Sequence, residues 1–273
     1  MKIGLALGGG GANGLAHIPM LEVLDDLGVR PHHVCGTSIG AVIGALYAAG
    51  MSGREIRSLA ASLVIRDTDT WRDIFGKKRL AGWTELLDPG FGAGGLVSGK
   101  DFLDFLYESI DAKRFEQLTV PLSVVATDFW RRAQLVFDHG EFRPAVEASM
   151  ALPGLFAPVS VDGRLLVDGG AVNPVPFDVL PAECDLTVAI DVTGQRSPTH
   201  ALSTFDVVFN TFQIMQQSIV AGKRERSEPD IFVDPSIRDI RALEFYRFDE
   251  VMEQARPAAG RLKRQLAERL GRS

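Results

Sequence analysis

Apolar positions along the chain recur with two different periods. Ile3–Leu7 and Leu186–Val192 are short, continuous apolar runs, which are typical of buried strands. Leu15–Leu27 and Ile39–Gly50 instead carry apolar residues at helical spacing and end at glycines. Strands that alternate with helices predict a parallel sheet covered by helices. We therefore expect an α/β fold with three layers, α/β/α, whose central sheet is mostly parallel.

The same patterns place further elements downstream. Helices are predicted at 53–63, at 101–110 and, after Glu141, at 141–151. Strands are predicted at 121–127, 134–137 and 165–167, and the segments 202–218 and 248–270 read as mainly helical. Together these elements account for most of the chain outside 66–100.

The domain organisation follows from length and from the absence of a linker. The chain has 273 residues and contains no low-complexity tract, like-charge block or repeat, so we expect one domain over 1–273 with its core at 3–200. The glycine-rich segment 66–100 carries scattered aromatic residues and breaks the pattern. It is read either as a mobile apolar lid or as a loop pinned to the core. Residues 202–273 form a helical C-terminal region.

Composition and charge exclude several classes of protein. A net charge of −6 argues against a nucleic-acid partner, which would favour a basic balance. Cys35 and Cys184 have no neighbouring cysteine or histidine motif, so no metal site is expected. No apolar run approaches the roughly 20 residues that span a bilayer, and the N-terminal stretch is too short for a signal peptide. We expect a cytoplasmic protein, with peripheral contact at the inner membrane surface as an option.

The most informative motif is Gly36-Thr37-Ser38-Ile39-Gly40. It lies between an apolar run ending at Cys35 and an alanine-rich helix, so it predicts a strand, a sharp turn and a helix with Ser38 at the apex. Gly36 and Gly40 remove side chains that would clash in such a turn. The helix N-terminus favours negative charge that develops near the hydroxyl. Ser38 is the candidate nucleophile, although the string alone also fits an ordinary helix cap.

A glycine loop precedes the first predicted helix. Gly9, Gly10 and Gly11 can bring backbone N–H groups close to an anionic oxygen, and Gly14 stands where the helix begins. The same spacing matches the dinucleotide-binding fingerprint. That alternative requires an acidic residue at the end of the second strand, where this chain has Thr37-Ser38 instead.

Two residues compete for the role of general base. Asp168 ends a predicted strand and is followed by Gly169 and Gly170, so its carboxylate could meet Ser38 at one edge of the sheet. An aspartate with a pKa of about 4 is a weak base, and burial would have to raise that pKa. His200 would complete the order of serine, aspartate and histidine that is seen in α/β-hydrolases. Asp-Gly-Gly by itself also fits a simple turn.

Four motifs, in order, resemble the bacterial branch of the patatin-like phospholipases. They are Leu5–Ile18 with its glycine loop, Gly36–Ala41, the segment Ala148-Ser149-x-Ala151-Leu152-Pro153-Gly154-x-Phe156, and Asp168–Pro176. The resemblance implies a dyad of Ser38 and Asp168, an oxyanion hole at Gly9, Gly10 and Gly11, and no metal or organic cofactor. It also implies hydrolysis of acyl esters of lipids through an acyl-serine, and it makes His200 a bystander.

Two positions depart from the family pattern. The family often has glycine where this chain has Pro19, and it usually has arginine or lysine where this chain has Asn13. The missing charge is expected to alter the loop or its attraction for a phosphate head group. A catalytically weak member with a regulatory or lipid-binding role is therefore the alternative to an active hydrolase.

The C-terminal segment has an amphipathic pattern. Leu262, Leu266 and Leu270 recur at helical spacing among basic residues. Such a helix either lies on an anionic membrane or packs on its own domain, and the second interpretation is favoured.

Overall fold

The computed structural model describes residues 1–63, 103, 107–108, 110–198 and 204–271. The candidate lid at 66–100, His200 and most of the helix predicted at 101–110 lie outside the described residues. The strands are β1 (Ile3–Leu7), β2 (His33–Thr37), β3 (Leu122–Asp128), β4 (Ala133–Phe137), β5 (Val159–Val161), β6 (Arg164–Asp168), β7 (Leu186–Ile190) and β8 (Ile231–Val233). The described helices are α1 (His17–Asp26), α2 (Ile39–Ala48), α3 (Gly53–Leu63), α4 (Phe142–Ser149), α5 (Thr204–Arg226) and α6 (Phe248–Arg269).

The strands form one sheet in the order β5-β6-β3-β2-β1-β7-β8, and β4 also pairs with β3. The neighbouring strands β3-β2-β1-β7-β8 of this order are all parallel to one another. Strands β4 and β6 each run antiparallel to β3, and β5 runs antiparallel to β6. The expectation of a mostly parallel sheet is confirmed.

Helices cover both faces of this sheet. Leu5 and Leu7 point to one face and belong to the large core cluster that includes α1, α2 and α6. Ala6 points to the other face and packs in a smaller cluster with Phe177 and with Val220 of α5. Side chains alternate across a strand, so these two clusters lie on opposite sides of β1. The predicted three-layer α/β/α architecture is therefore present.

The sequence patterns missed two strands and part of a helix. Strands β5 and β8 have three residues each, too few for a visible period. The first helix is preceded by a 3₁₀ turn over Gly11–Ala16, because the glycine loop bends tightly before the α-helical spacing begins. Helix α5 continues past Ser218 to Arg226.

The C-terminal helix packs on its own domain. Leu262 and Leu266 are buried, and α6 lies against α1. The interpretation favoured from the sequence is confirmed, and these leucines are not available to a membrane.

Strand register brings three segments to the same edge of the sheet. Leu7 pairs with Gly36, so the loop after β1 and the turn after β2 begin at one level. Thr37 pairs with Val125, and the next residue of β3, Ala126, pairs with Asp168. Ser38 and Asp168 consequently lie level with each other on either side of β3.

Candidate active site

Ser38 occupies a strained turn between β2 and α2. Its φ of 55° and ψ of −127° lie in a region of backbone conformation that residues other than glycine rarely adopt. A Cβ on Gly36 would lie 2.5 Å from the Cα of Ala41, and one on Gly40 would lie 2.2 Å from the carbonyl oxygen of Leu7. Both glycines are therefore required by close backbone packing, which holds the turn in the form that the motif predicts.

The Ser38 hydroxyl and the Asp168 carboxylate form a direct hydrogen bond. Oγ of Ser38 donates to Oδ2 of Asp168 at 2.6 Å. The other carboxylate oxygen, Oδ1, accepts the N–H of Gly170 at 2.7 Å. A Cβ on Gly169 would lie 2.2 Å from the carbonyl oxygen of Val125, so this glycine lets the loop approach β3. The arrangement gives a serine hydroxyl and an oriented proton acceptor.

Burial alters the acidity of this carboxyl group. Asp168 is 1% exposed. Desolvation raises its pKa from 3.8 to about 6, while hydrogen bonds from Ser38 and Gly170 act in the opposite direction. A carboxylate with a pKa near 6 is still ionised at neutral pH and is a stronger base than a solvated aspartate.

The glycine loop faces the serine, but its members are not equivalent. Gly10 and Gly11 line the same cavity as Ser38 and Asp168. Gly11 begins the 3₁₀ turn, so its N–H lacks an acceptor within the turn. The N–H of Gly9 donates to the carbonyl of Pro174 at 2.9 Å. Gly14 lies further along, where a Cβ would meet Ile39 at 2.2 Å, so it serves helix packing.

Two side chains of the first helical region brace the glycine loop. Nε2 of the buried His17 donates to the carbonyl of Gly8 at 2.8 Å, and burial lowers the His17 pKa to about 4, so the ring is neutral. Asn13 is also buried and its Nδ2 donates to the carbonyl of Thr193 at 3.1 Å. Its side chain faces the loop after β7 and does not line the cavity.

Ser149 is a site residue that the sequence patterns did not single out. It ends α4, is fully buried, and its hydroxyl oxygen accepts the N–H of Ser38 at 2.8 Å. The same hydroxyl donates to the carbonyl of Val125 at 2.6 Å. Ser149 thus ties the strained turn to β3. The only available signal was its place in the Ala148–Phe156 motif, which indicates no role for it.

The cavity beside the dyad is largely apolar. Its walls come from α2, from the segment after α4 and from α5, and include Val42, Met150, Leu155, Phe156, Phe209 and Phe212. An apolar pocket that meets an ionised carboxylate and a hydroxyl at one end suits a molecule with a long apolar part and a reactive polar group.

Among the described histidines, none lines the cavity. Nε2 of His33 lies 2.8 Å from Oγ of Ser123, and His139 is exposed beside Asp138. The rival base His200 lies outside the described residues. Within the part of the chain that the structure describes, no group of three or more His, Cys, Asp and Glu side chains is placed to hold a metal ion. No helix there is long and apolar enough to cross a membrane.

Comparison with known proteins places this site in a family. The family model described as patatin-like phospholipase matches residues 5–181. An uncharacterized NTE family protein of Mycobacterium tuberculosis is 36% identical over 72% of this chain and 50% of its own length. Neuropathy target esterase sws of Drosophila melanogaster is 34% identical over 71% of this chain and 13% of its own length. The chain spans half the length of the mycobacterial relative and far less of the fly protein.

Solved structures share the fold at low sequence identity. VipD from Legionella pneumophila superposes with a TM-score of 0.50 at 15% identity, over 96% of this chain and 66% of that protein. Its likeness supports the three-layer sheet architecture alone. The fold and the family match together define a patatin-like domain. The chain belongs to the patatin-like phospholipase family, and this assignment replaces the dinucleotide-binding alternative.

Proposed function

We propose that the chain is a serine-dependent lipid acyl hydrolase that cleaves fatty-acyl ester bonds of phospholipids, lysophospholipids or related lipids. The observation that carries this proposal is the 2.6 Å hydrogen bond from Oγ of Ser38 to Oδ2 of Asp168 at the end of an apolar cavity. The family assignment supports lipid hydrolysis. The Ser38–Asp168 dyad and the class of lipid substrate are proposed in addition.

The proposed reaction has two steps. Ser38 transfers its hydroxyl proton to Asp168 while Oγ attacks the ester carbonyl carbon. The resulting oxyanion accepts hydrogen bonds from the backbone N–H groups of Gly10 and Gly11. The alcohol leaves with the proton from Asp168, and Ser38 retains the acyl group. Water then gives a proton to Asp168 and attacks the acyl-serine, which releases the fatty acid and returns the proton to Ser38. These steps require no metal or organic cofactor.

Gly9 has a different part in this mechanism from Gly10 and Gly11. Its N–H is engaged by Pro174, and a Cβ at this position would lie 3.2 Å from the Cβ of Ser38. We assign it to close packing beside the nucleophile. The N–H of Ser38 donates to Ser149 and is not free for an oxyanion, and we assign the donor role to Gly10 and Gly11, which line the cavity beside Ser38.

The apolar walls support a fatty-acyl substrate. An acyl chain placed against Phe209 and Phe212 would leave its ester at Ser38. Lysophospholipase NTE1 of Candida glabrata is 29% identical over 91% of this chain and 15% of its own length. On this basis lysophospholipids are the first substrates to test. Cytoplasmic location and peripheral membrane contact remain predictions.

The test is fatty-acid release from lysophosphatidylcholine and phosphatidylcholine by the wild-type chain, Ser38→Ala and Ser160→Ala. Ser160 is exposed in β5 and serves as the matched control. We expect release by the wild type and Ser160→Ala, and a loss of more than about a thousandfold in Ser38→Ala. A folded wild type that binds these lipids without releasing acid would favour the regulatory or lipid-binding alternative, for which Asn13 is the sequence feature.

A further inference from the structure

The turn between β3 and β4 exposes two adjacent aromatic side chains. We call residues 129–132, Phe129-Trp130-Arg131-Arg132, the aromatic–arginine turn. Phe129 is 46% exposed and Trp130 is 75% exposed. Their rings meet edge to face with centroids 4.9 Å apart, so each contacts the other and both remain open to solvent. The other exposed apolar pairs among the described residues, Val207/Val208 and Ile214/Met215 on α5, are aliphatic. This pair is aromatic and contains a tryptophan, a residue that is enriched at membrane–water interfaces.

Two arginines follow these rings directly. Arg131 is largely exposed, with its Nε 3.8 Å from Oδ2 of Asp128, and Arg132 is exposed as well. The two cations are adjacent to the exposed rings, so positive charge and aromatic surface occur together in one short turn. Tryptophan and phenylalanine suit the boundary between lipid head groups and acyl chains, and arginines beside them attract anionic lipids.

Backbone and carboxylate contacts fix the shape of the turn. Oδ1 of Asp128 accepts the N–H of Arg131 at 2.9 Å, and the carbonyl of Asp128 accepts the N–H of Arg132 at 2.8 Å. Arg132 has a φ of 55°, which closes the turn into β4. A fixed turn presents its side chains without a large ordering cost on binding.

The turn projects from the edge of the sheet that carries the candidate active site. Thr37 pairs with Val125, so Ser38 lies level with Ala126 and Phe129 comes three residues later. At about 3.3 Å per residue, the turn begins about 10 Å beyond Ser38 along the strand direction. A planar surface that contacts the turn would therefore face the edge at which Ser38 lies.

We propose that the aromatic–arginine turn docks this edge of the protein on an anionic phospholipid bilayer. Phe129 and Trp130 enter the boundary between head groups and acyl chains, and Arg131 and Arg132 contact lipid phosphates. The choice of a bilayer as the source of substrate rests on the proposed function. Binding itself requires no catalysis, so it is measured independently of hydrolysis.

The experiment measures flotation of the full chain with phosphatidylcholine vesicles, with and without phosphatidylglycerol. The wild type is expected to bind the anionic vesicles more tightly. Arg131→Gln/Arg132→Gln removes two charges at about fivefold each, so its partition coefficient falls about 25-fold. Phe129→Ala/Trp130→Ala is expected to lose at least about tenfold. Thermal melting verifies that each variant is folded.

Two matched controls accompany these variants. Arg238→Gln/Arg256→Gln removes the same charge from exposed positions elsewhere, and Ile214→Ala/Met215→Ala truncates an exposed apolar pair on α5. Both are expected to bind within about twofold of the wild type. Equal binding to the two vesicle types, or an undiminished partition of Phe129→Ala/Trp130→Ala, would overturn the proposal. Loss of binding in the α5 pair alone would assign docking to that helix and overturn it too.

Sedimentation velocity tests whether the turn instead binds a second copy of the chain. A wild-type dimer that Phe129→Ala/Trp130→Ala converts to a monomer would make the turn an interface between two copies and contradict the proposal. Repeating the flotation with Ser38→Ala separates the two hypotheses. Unchanged binding by that variant would support docking even if no lipid were ever hydrolysed.

Discussion

Replacement of Asp168 by asparagine is expected to stabilise the folded protein at neutral pH. The carboxylate is 1% exposed, and burial raises its pKa from 3.8 to about 6. Between these two values the folded state holds a proton that the unfolded state has released. Stability therefore falls as the pH rises from about 4 to 6, and the full cost is present above pH 6. An asparagine carries no charge and avoids this cost.

The magnitude follows from the size of the pKa change. A rise of about two in the pKa of Asp168 corresponds to about 3 kcal/mol of folding free energy. Asparagine can keep an oxygen for the N–H of Gly170 and an NH₂ group for Ser38, which limits the new cost of burying an amide. We expect the free energy of unfolding of Asp168→Asn to exceed that of the wild type by about 1–3 kcal/mol at pH 7.5. Each kcal/mol corresponds to a rise of roughly 2–4 °C in melting temperature.

Melting temperatures of the wild type, Asp168→Asn and Asp111→Asn are compared at pH 7.5 and pH 4.5. Asp111 is exposed and provides the matched loss of a carboxylate. We expect a higher melting temperature for Asp168→Asn than for the wild type at pH 7.5, a smaller difference at pH 4.5, and no comparable change for Asp111→Asn. A melting temperature of Asp168→Asn at or below that of the wild type at both pH values would refute the reasoning.

Three further predictions concern the same site. The rate of serine labelling by a fluorophosphonate should rise to its plateau with a midpoint near pH 6, because Asp168 must be ionised; a midpoint near pH 4 would contradict a buried base. Ser149→Ala leaves the N–H of Ser38 without its acceptor, so we expect about 1–3 kcal/mol of destabilisation and slower labelling, with Ser160→Ala unchanged in both measurements. Gly40→Ala should strongly lower the free energy of unfolding measured in denaturant, because its Cβ would lie 2.2 Å from the Leu7 carbonyl oxygen. Gly44→Ala in the same helix, whose Cβ would lie 3.3 Å from the nearest atom, should be tolerated. Equal effects of the two substitutions would contradict the importance of close packing at Gly40.

The local parts of the site could be predicted from the sequence. The turn at Ser38 is specified by glycines two residues away on each side, and the apolar runs that flank it set the strand and the helix. The meeting of Asp168 with Ser38 was also predicted, but not by the arrangement that produces it. The sequence argument placed Asp168 at a strand end on a shared edge, whereas β6 runs antiparallel to β3 and Asp168 pairs with Ala126, so its register along β3 brings it level with Ser38. That register is a contact between remote segments, which no local pattern in the sequence specifies.

The remaining contacts depend on how the chain closes on itself. Ser149 is 111 residues from Ser38, and no spacing rule connects them. The engagement of the Gly9 N–H by Pro174 likewise appears only when the segment after β6 reaches the glycine loop. Burial of Asn13 was also hidden, because a short polar residue in a glycine-rich loop ordinarily reads as exposed.

The most direct test of the central claim is active-site labelling with a fluorophosphonate probe, followed by mass mapping of the modified residue. It is applied to the wild type, Ser38→Ala, Asp168→Asn and His200→Ala. We expect a label on Ser38 that survives His200→Ala, falls sharply in Asp168→Asn and is absent from Ser38→Ala. A folded wild type without label, or a label on Ser38 that is lost with His200→Ala and unaffected by Asp168→Asn, would contradict the Ser38–Asp168 dyad.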